Sequence, residues 1–221
     1  MMRQGKLKDS PKAVPGAEAI PESILDYWFE GLSEKSPLEA DSAVARRWFG
    51  KDESTDREIR ERFEEHLERA VRGEYRHWAN SSDGSLALVI LTDQFPRNMY
   101  RGTPKAFATD PLALETSLQA IRGGQDHALS LMERMFLYMP LMHAESVEVQ
   151  RQSRGLFESL ARLARIDRSP FTSFLAMSAD YAERHAAIVE RFHRFPHRNA
   201  ILGRPSTPEE IAFLREPGSS F

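Results

Sequence analysis

LALVILTDQFPRNMYRG, residues 86–102, contains the one run that suits a strand, 86–91, and its reading separates an all-helical chain from a mixed one. Six consecutive apolar residues fit a buried strand and a buried helix equally well by periodicity. Its Leu and Ala content, and its continuation through Thr92, Asp93 and Gln94 to the length of a short helix, decide for helix. With no other strand for it to pair with, the chain reads as all-α, an irregular antiparallel array of helix pairs.

Prolines mark where the other helices begin, because proline at the first helical position lacks only an amide that would have no partner there. Ile20-Pro21, Thr103-Pro104, Asp110-Pro111, Ser169-Pro170 and Thr207-Pro208 all read as openings, and Thr207 with Glu210 forms a capping box. Helices are expected at about 21–31, 40–49, 53–72, 111–122, 128–144, 147–164 and 170–194, with Gly31, Gly50, Gly73 and Gly123-Gly124 as stops. In 53–72 the stripe Ile59, Phe63, Leu67 with Ala70 or Val71 is apolar. Glu58–Arg62, Glu65–Arg69 and Glu68–Arg72 are spaced for i,i+4 ion pairs on a solvated face. Met132, Met135, Met139 and Met142 mark a core-facing stripe rather than a cofactor box.

At 221 residues the chain suits one large domain: residues 1–18 read as a flexible tail and 19–221 as a single helical domain. A net charge of −3 supplies no global basic field, so nucleic acid is not an expected partner. The absence of cysteine excludes disulfides and thiol chemistry and fits the cytoplasm. No stretch approaches the roughly 20 apolar residues of a membrane span.

Three stretches carry more polar chemistry than a turn requires. In 93–102 Pro96 is expected to end one helix near Gln94 and start another, leaving the amides of Arg97, Asn98 and Met99 open to an anion. Arg97 adds a planar fork, Arg101 lies one turn later, and Asp93 is either a cap or the partner of Arg97. The second, HRFPHRNAILGR at 193–204, repeats Phe-Pro before His197, Arg198 and Asn199, with Arg204 following. The third is MPLMHAES at 139–146, where Pro140 is expected to kink the helix and re-aim His143 and Glu145. The competing reading is structural: each Phe a core plug, each Arg-Asn pair a cap, His143 a bonded core histidine.

His193 and His197 are four apart, but Pro196 between them breaks the helix that would align them as ligands. With His185 and Glu145 the signal is weak, so neither metal nor cofactor is expected. Nucleophile-elbow, P-loop and dinucleotide signatures are absent.

LTDQFPRNMYRGTPKAFATDPLAL, RMFLYMPLMHAES and HRFPHRNAILGRPSTPEE resemble the signature blocks of the bacterial domain-of-unknown-function family 924, over roughly residues 20 to 216. The resemblance implies a helical fold similar to tetratricopeptide-like superhelices and no established activity. No 34-residue period is legible in the residues themselves. The polar members of those blocks are Asp93, Arg97, Asn98, Arg101, His143, Glu145, His193, His197, Arg198, Asn199 and Arg204.

The expectation is a helical protein that binds a small anionic ligand or an acidic peptide end between the two corners. Asp93, Arg97, Asn98, Arg101, His197, Arg198, Asn199 and Arg204 would be its binding groups. One alternative is an enzyme for a phosphorylated or carboxylated metabolite, with His143 or His197 as base and Glu145 orienting it. The other is a protein-interaction scaffold whose corner arginines are spent on internal carboxylates and carbonyls.

Overall fold

The computed structural model describes residues 20–33, 35–39 and 41–220, and the expected tail at 1–18 lies outside them. The described residues form helices and no strand: α1 (Ile20–Phe29), α2 (Ala43–Phe49), α3 (Glu53–Val71), α4 (Ser82–Val89), α5 (Phe95–Met99), α6 (Asp110–Arg122), α7 (Leu131–Met142), α8 (Val147–Ile166), α9 (Thr172–Phe192) and α10 (Pro208–Phe213). Both capping boxes, Ser130 with Glu133 and Thr207 with Glu210, close as local chemistry demands. Among the proline openings, Ser169-Pro170 departs: Ser169 accepts from the Phe171 amide, and α9 begins only at Thr172. None of these helices is long and apolar enough to cross a membrane.

α4 is the central element, buried on every side from Gly84 through its continuation to Gln94, which is why its sequence shows no polar face. Gly84 is required there, because a β-carbon would come within 2.2 Å of the Trp78 carbonyl oxygen. Around α4 an aromatic cluster forms the core, with Trp28, Phe95 and Phe136 fully buried. Phe95 stacks on Phe63 at 4.6 Å between ring centres and meets Trp28 edge-on at 5.6 Å. Met132, Met135 and Met142 are buried in the same cluster, with Met139 packed at its margin.

α7, α8 and α9 pack as successive antiparallel neighbours. Arg151 pairs with Glu190 and Arg154 with Glu183, while Thr172 bonds back to the Ala164 carbonyl at the other end of α8. On the surface of α3 the expected Glu58–Arg62 and Glu68–Arg72 pairs form, whereas Arg69 turns to Glu74 instead of Glu65.

At the first Phe-Pro corner the structure corrects the expected break. The chain stays helical from Ser82 to Met99 by widening into a π-helical turn at Ile90–Gln94, in which the Phe95 amide bonds the Ile90 carbonyl. Pro96 cannot donate to Thr92, and that carbonyl instead accepts the Thr109 hydroxyl at 2.6 Å. Arg97, Asn98 and Met99 therefore lie inside a continuing helix and present no free helix start. α7 likewise runs on through Pro140 to Met142. The second corner does restart: His193 ends α9 in the left-handed region at φ 57°, Phe195 is extended, and Pro196–Arg198 make a single 3-10 turn. The two corners are thus not built alike.

Phe95 sets the aromatic core, so Phe95→Ala is expected to cost about 3–5 kcal/mol of stability, read by denaturant unfolding. A loss under about 1 kcal/mol would show that α5 does not depend on this packing.

Candidate functional site

The two corners meet. Asp93, in the π turn, has no exposed surface, and its carboxylate accepts from His143 Nδ1 at 2.8 Å and from Gln94 Nε2, while Arg97 Nη1 pairs with it by charge at 3.3 Å and donates to the Asp93 backbone carbonyl at 2.6 Å. Burial alone would raise this carboxyl, but the Arg97 charge and the hydrogen bonds from His143 and Gln94 outweigh it and hold it at about 2. A π turn shifts side-chain directions by part of a turn, and here it turns Asp93 inward beside the C-terminus of α7.

His143 caps α7. Burial and then the Arg97 charge lower its proton affinity, against the pull of Asp93, so the ring is neutral at neutral pH. A carboxylate can only accept, so Nδ1 carries the proton and Nε2 the lone pair. Gln150 on α8 donates to the carbonyls of Met142 and Ala144, on either side of His143, and so fixes where the ring begins.

Arg97 passes the network on, gripping Asp110 with both arms at 2.9 and 3.1 Å. Asp110 Oδ2 also accepts from Arg198 Nη1, at 3.3 Å, and this joins the first corner to the second across 88 positions of sequence. Arg198 is buried between two aromatic faces, its guanidinium carbon 4.7 Å from the Phe107 ring centre and 4.6 Å from that of Phe195. Its Nε–H, shielded from solvent, meets no acceptor, and burial together with Arg97 lowers its pKa to about 10.

Glu145 is not the partner of His143, as the sequence suggested. Its carboxylate takes Arg204 in two bonds of 2.6 and 2.9 Å and the Phe195 amide at 2.7 Å. Asp93 holds the place beside His143. Asn98 and Arg101 also leave the site: both bond Asp56 at the start of α3, Asn98 at 3.0 Å and Arg101 at 2.8 and 2.9 Å, which ties α5 to α3. Asn199 serves its own loop, donating to Ser206 Oγ at 3.0 Å. His193 is exposed at the end of α9.

The structure brings together Asp93, Arg97, His143, Glu145, His197, Arg198 and Arg204, and adds Asp110 and His185. The sequence marked Asp110 only as a helix opening, since an acid before a helix-starting proline looks like any cap. His185 lies with its ring 6.3 Å from that of His143 and 5.5 Å from Phe195, and His197 stands 5.6 Å beyond Phe195. Burial first, then the neighbouring positive and histidine groups, lowers His185 to about 3; burial and then Arg198 lower His197 to about 4. Among the described residues no group of three or more His, Asp or Glu is arranged to hold a metal ion.

Histidines held below their ordinary value of 6.5 stabilise the fold only while they stay unprotonated. The unfolded chain takes up protons first as pH drops through about 6.5, so stability is full above that value. It is expected to fall steadily toward pH 4 in denaturant titrations at pH 7, 6, 5 and 4, and His197→Asn is expected to flatten that fall. An acid limb unchanged by His197→Asn would show that the folded ring takes up its proton as readily as in the unfolded chain.

Beyond the geometry, the chain has clear relatives. A family model described as bacterial protein of unknown function (DUF924) matches residues 24–218. A solved protein of unknown function from Agrobacterium tumefaciens is similar over 90% of this chain and 98% of its own, at 37% identity and a TM-score of 0.74. No curated protein matches. The helical fold, the length of the match and this identity place the chain in one family: it belongs to the bacterial DUF924 proteins.

Proposed function

We propose that this protein binds a small anionic molecule, a carboxylate, a phosphate monoester or the acidic end of a peptide, where the two Phe-Pro corners meet. Arg198 is the contact for the anionic group and His143 Nε2 the neighbouring acceptor. The observation that carries the reading is the state of Arg198. It is buried and charged, fixed by two rings, bonded to one carboxylate at 3.3 Å, and has an Nε–H with no acceptor. A buried donor without a partner costs about 1–3 kcal/mol, which a ligand oxygen would recover. Asn199 Oδ1 and Arg204 Nε, also shielded and without partners, lie in the same corner.

A second reading is favoured by the Asp93–His143 pair. A buried, ionised carboxylate bonded to Nδ1 of a neutral imidazole is the arrangement that holds a general base in one tautomer and orientation. On this reading the bound molecule is also turned over, with His143 as base, Asp93 orienting it and Arg198 holding the anionic group.

A thermal-shift screen of small carboxylates and phosphate monoesters is expected to raise the melting temperature of the wild-type protein with at least one compound. Arg198→Lys keeps the charge but loses the fork, and is expected to weaken that compound by about 2 kcal/mol or more. Affinity unchanged in Arg198→Lys, or a screen without any shift, would sink the binding reading. His143→Gln separates the two readings: loss of turnover with binding retained supports the enzyme, and a compound recovered unchanged from the wild-type protein removes it.

A further inference from the structure

Whatever enters the junction meets a balanced set of charges. Asp93, Asp110 and Glu145 face Arg97, Arg198 and Arg204, and each of these carboxylates is paired with an arginine. Arg194 and Glu210, the next pair outward, balance as well. The histidines His143, His185 and His197 are neutral, each lowered first by burial. An anion arriving alone therefore adds one uncompensated negative charge to a network that includes Asp93, which has no exposed surface. Burying such a charge without compensation is costly.

A proton supplies the compensation, and the structure offers it one seat above the others. The arginines are already charged, and the carboxylates are ionised and paired, which leaves the imidazoles. Facing His143 are Asp93 and Arg97 from the first corner, Asp110 from α6, His185 from α9 and, beyond Phe195, Arg198 and His197. From α8 comes only the uncharged Gln150, while Glu145, two residues on, is turned to Arg204. His143 has an ionised carboxylate bonded to its Nδ1, so a charge on its ring is met at once by Asp93. His185 has a neutral acceptor there, the Tyr181 carbonyl, and the Arg198 charge opposes protonation of both His185 and His197. Arg97 and burial now hold His143 neutral against the pull of Asp93. A ligand's negative group adds to that pull, since a nearby opposite charge favours the protonated imidazole.

Resting on the anion-site reading above, we infer that the site takes up its anion together with one proton, which binds Nε2 of His143. The proton comes from solvent, the Nε2 lone pair forms the new N–H bond, and no other bond changes. The imidazolium then donates through Nδ1 to Asp93 and through Nε2 to the anion, so the acceptor of the empty site becomes a donor in the filled one. Affinity for the anion rises as pH falls, because binding and protonation support each other by the same factor. A His143 charged in this way is no base, so the inference deepens the binding reading alone.

The test is an NMR titration of the full chain, observing the histidine ring nitrogens, with acetate and, separately, inorganic phosphate at pH 6, 7 and 8. With either anion saturating at pH 7, Nε2 of His143 is expected to move from the position of an unprotonated nitrogen to that of a protonated one. Acetate, like a side-chain carboxylate, is ionised throughout this range, so its dissociation constant follows the protein's proton alone. That constant is expected to be at least about tenfold smaller at pH 6 than at pH 8, since uptake of one whole proton amounts to about tenfold per pH unit. In His143→Gln it is expected to stay the same over the range. An anion that binds while Nε2 of His143 stays unprotonated, or a proton that settles on His185 or His197, overturns the inference and leaves the anion site standing. So does a pH dependence that survives in His143→Gln. If neither anion binds at any of these pH values, the site and its proton fall together.

Discussion

A carboxylate with no exposed surface, Asp93, is the constraint on which the arrangement of this protein's polar interior depends. A buried charge of this kind is tolerable only when paired and fully hydrogen-bonded. Its partners come from two elements: Gln94 as a donor and Arg97 as an opposite charge from its own helical run, and His143 as a donor from the end of α7. Satisfying Asp93 therefore fixes the C-terminus of α7 against the π turn. It also commits Arg97, whose remaining donors need an acceptor, and Asp110 supplies it from the first residue of α6. Asp110 in turn reaches Arg198.

That chain of charges runs between two apolar clusters of unequal size. The larger gathers α1 to α7 with the near ends of α8 and α9 around Trp28, Phe95 and Phe136. The smaller holds Ile188, Val189 and Phe195, with Val147, Phe192 and Phe213 packed on it. The segment from Phe195 onward belongs to the smaller cluster and reaches the rest through Arg198–Asp110, Arg204–Glu145 and the Phe195 amide on Glu145. Ionic contacts of this sort are more easily exchanged for a ligand's groups than apolar packing is, because each can be replaced by a like-charged group without leaving a cavity. The anion site we propose lies at this seam rather than within either cluster, in keeping with the same physics.

Much of the fold was legible from residues three and four apart. The stripe Ile59, Phe63, Leu67, the methionines of α7 and the Thr207–Glu210 box all act within one or two helical turns, and each appears where the spacing put it. The first corner departs from the sequence expectation because the rule that proline ends a helix assumes nothing else can serve the stranded carbonyl. Thr109, seventeen residues away, does serve it, and the helix continues. His143 and Glu145 look like a pair because they are near in sequence. On leaving α7 they diverge, one to Asp93 and the other to Arg204, each about fifty residues distant or more.

The sequence by itself determined that the chain is helical, where most helices start and stop, and which corners concentrate arginine, asparagine and histidine. Those properties rest on backbone propensity, capping and local periodicity, which neighbouring residues settle among themselves. Only the tertiary structure decided which acid meets which arginine. With 33 acidic residues in the chain, no local pattern singles out Asp110 for Arg97 and Arg198, or Asp56 for Asn98 and Arg101. Those choices are made by packing the aromatic core, which brings distant helix ends within hydrogen-bond reach and leaves each buried charge with few partners to accept.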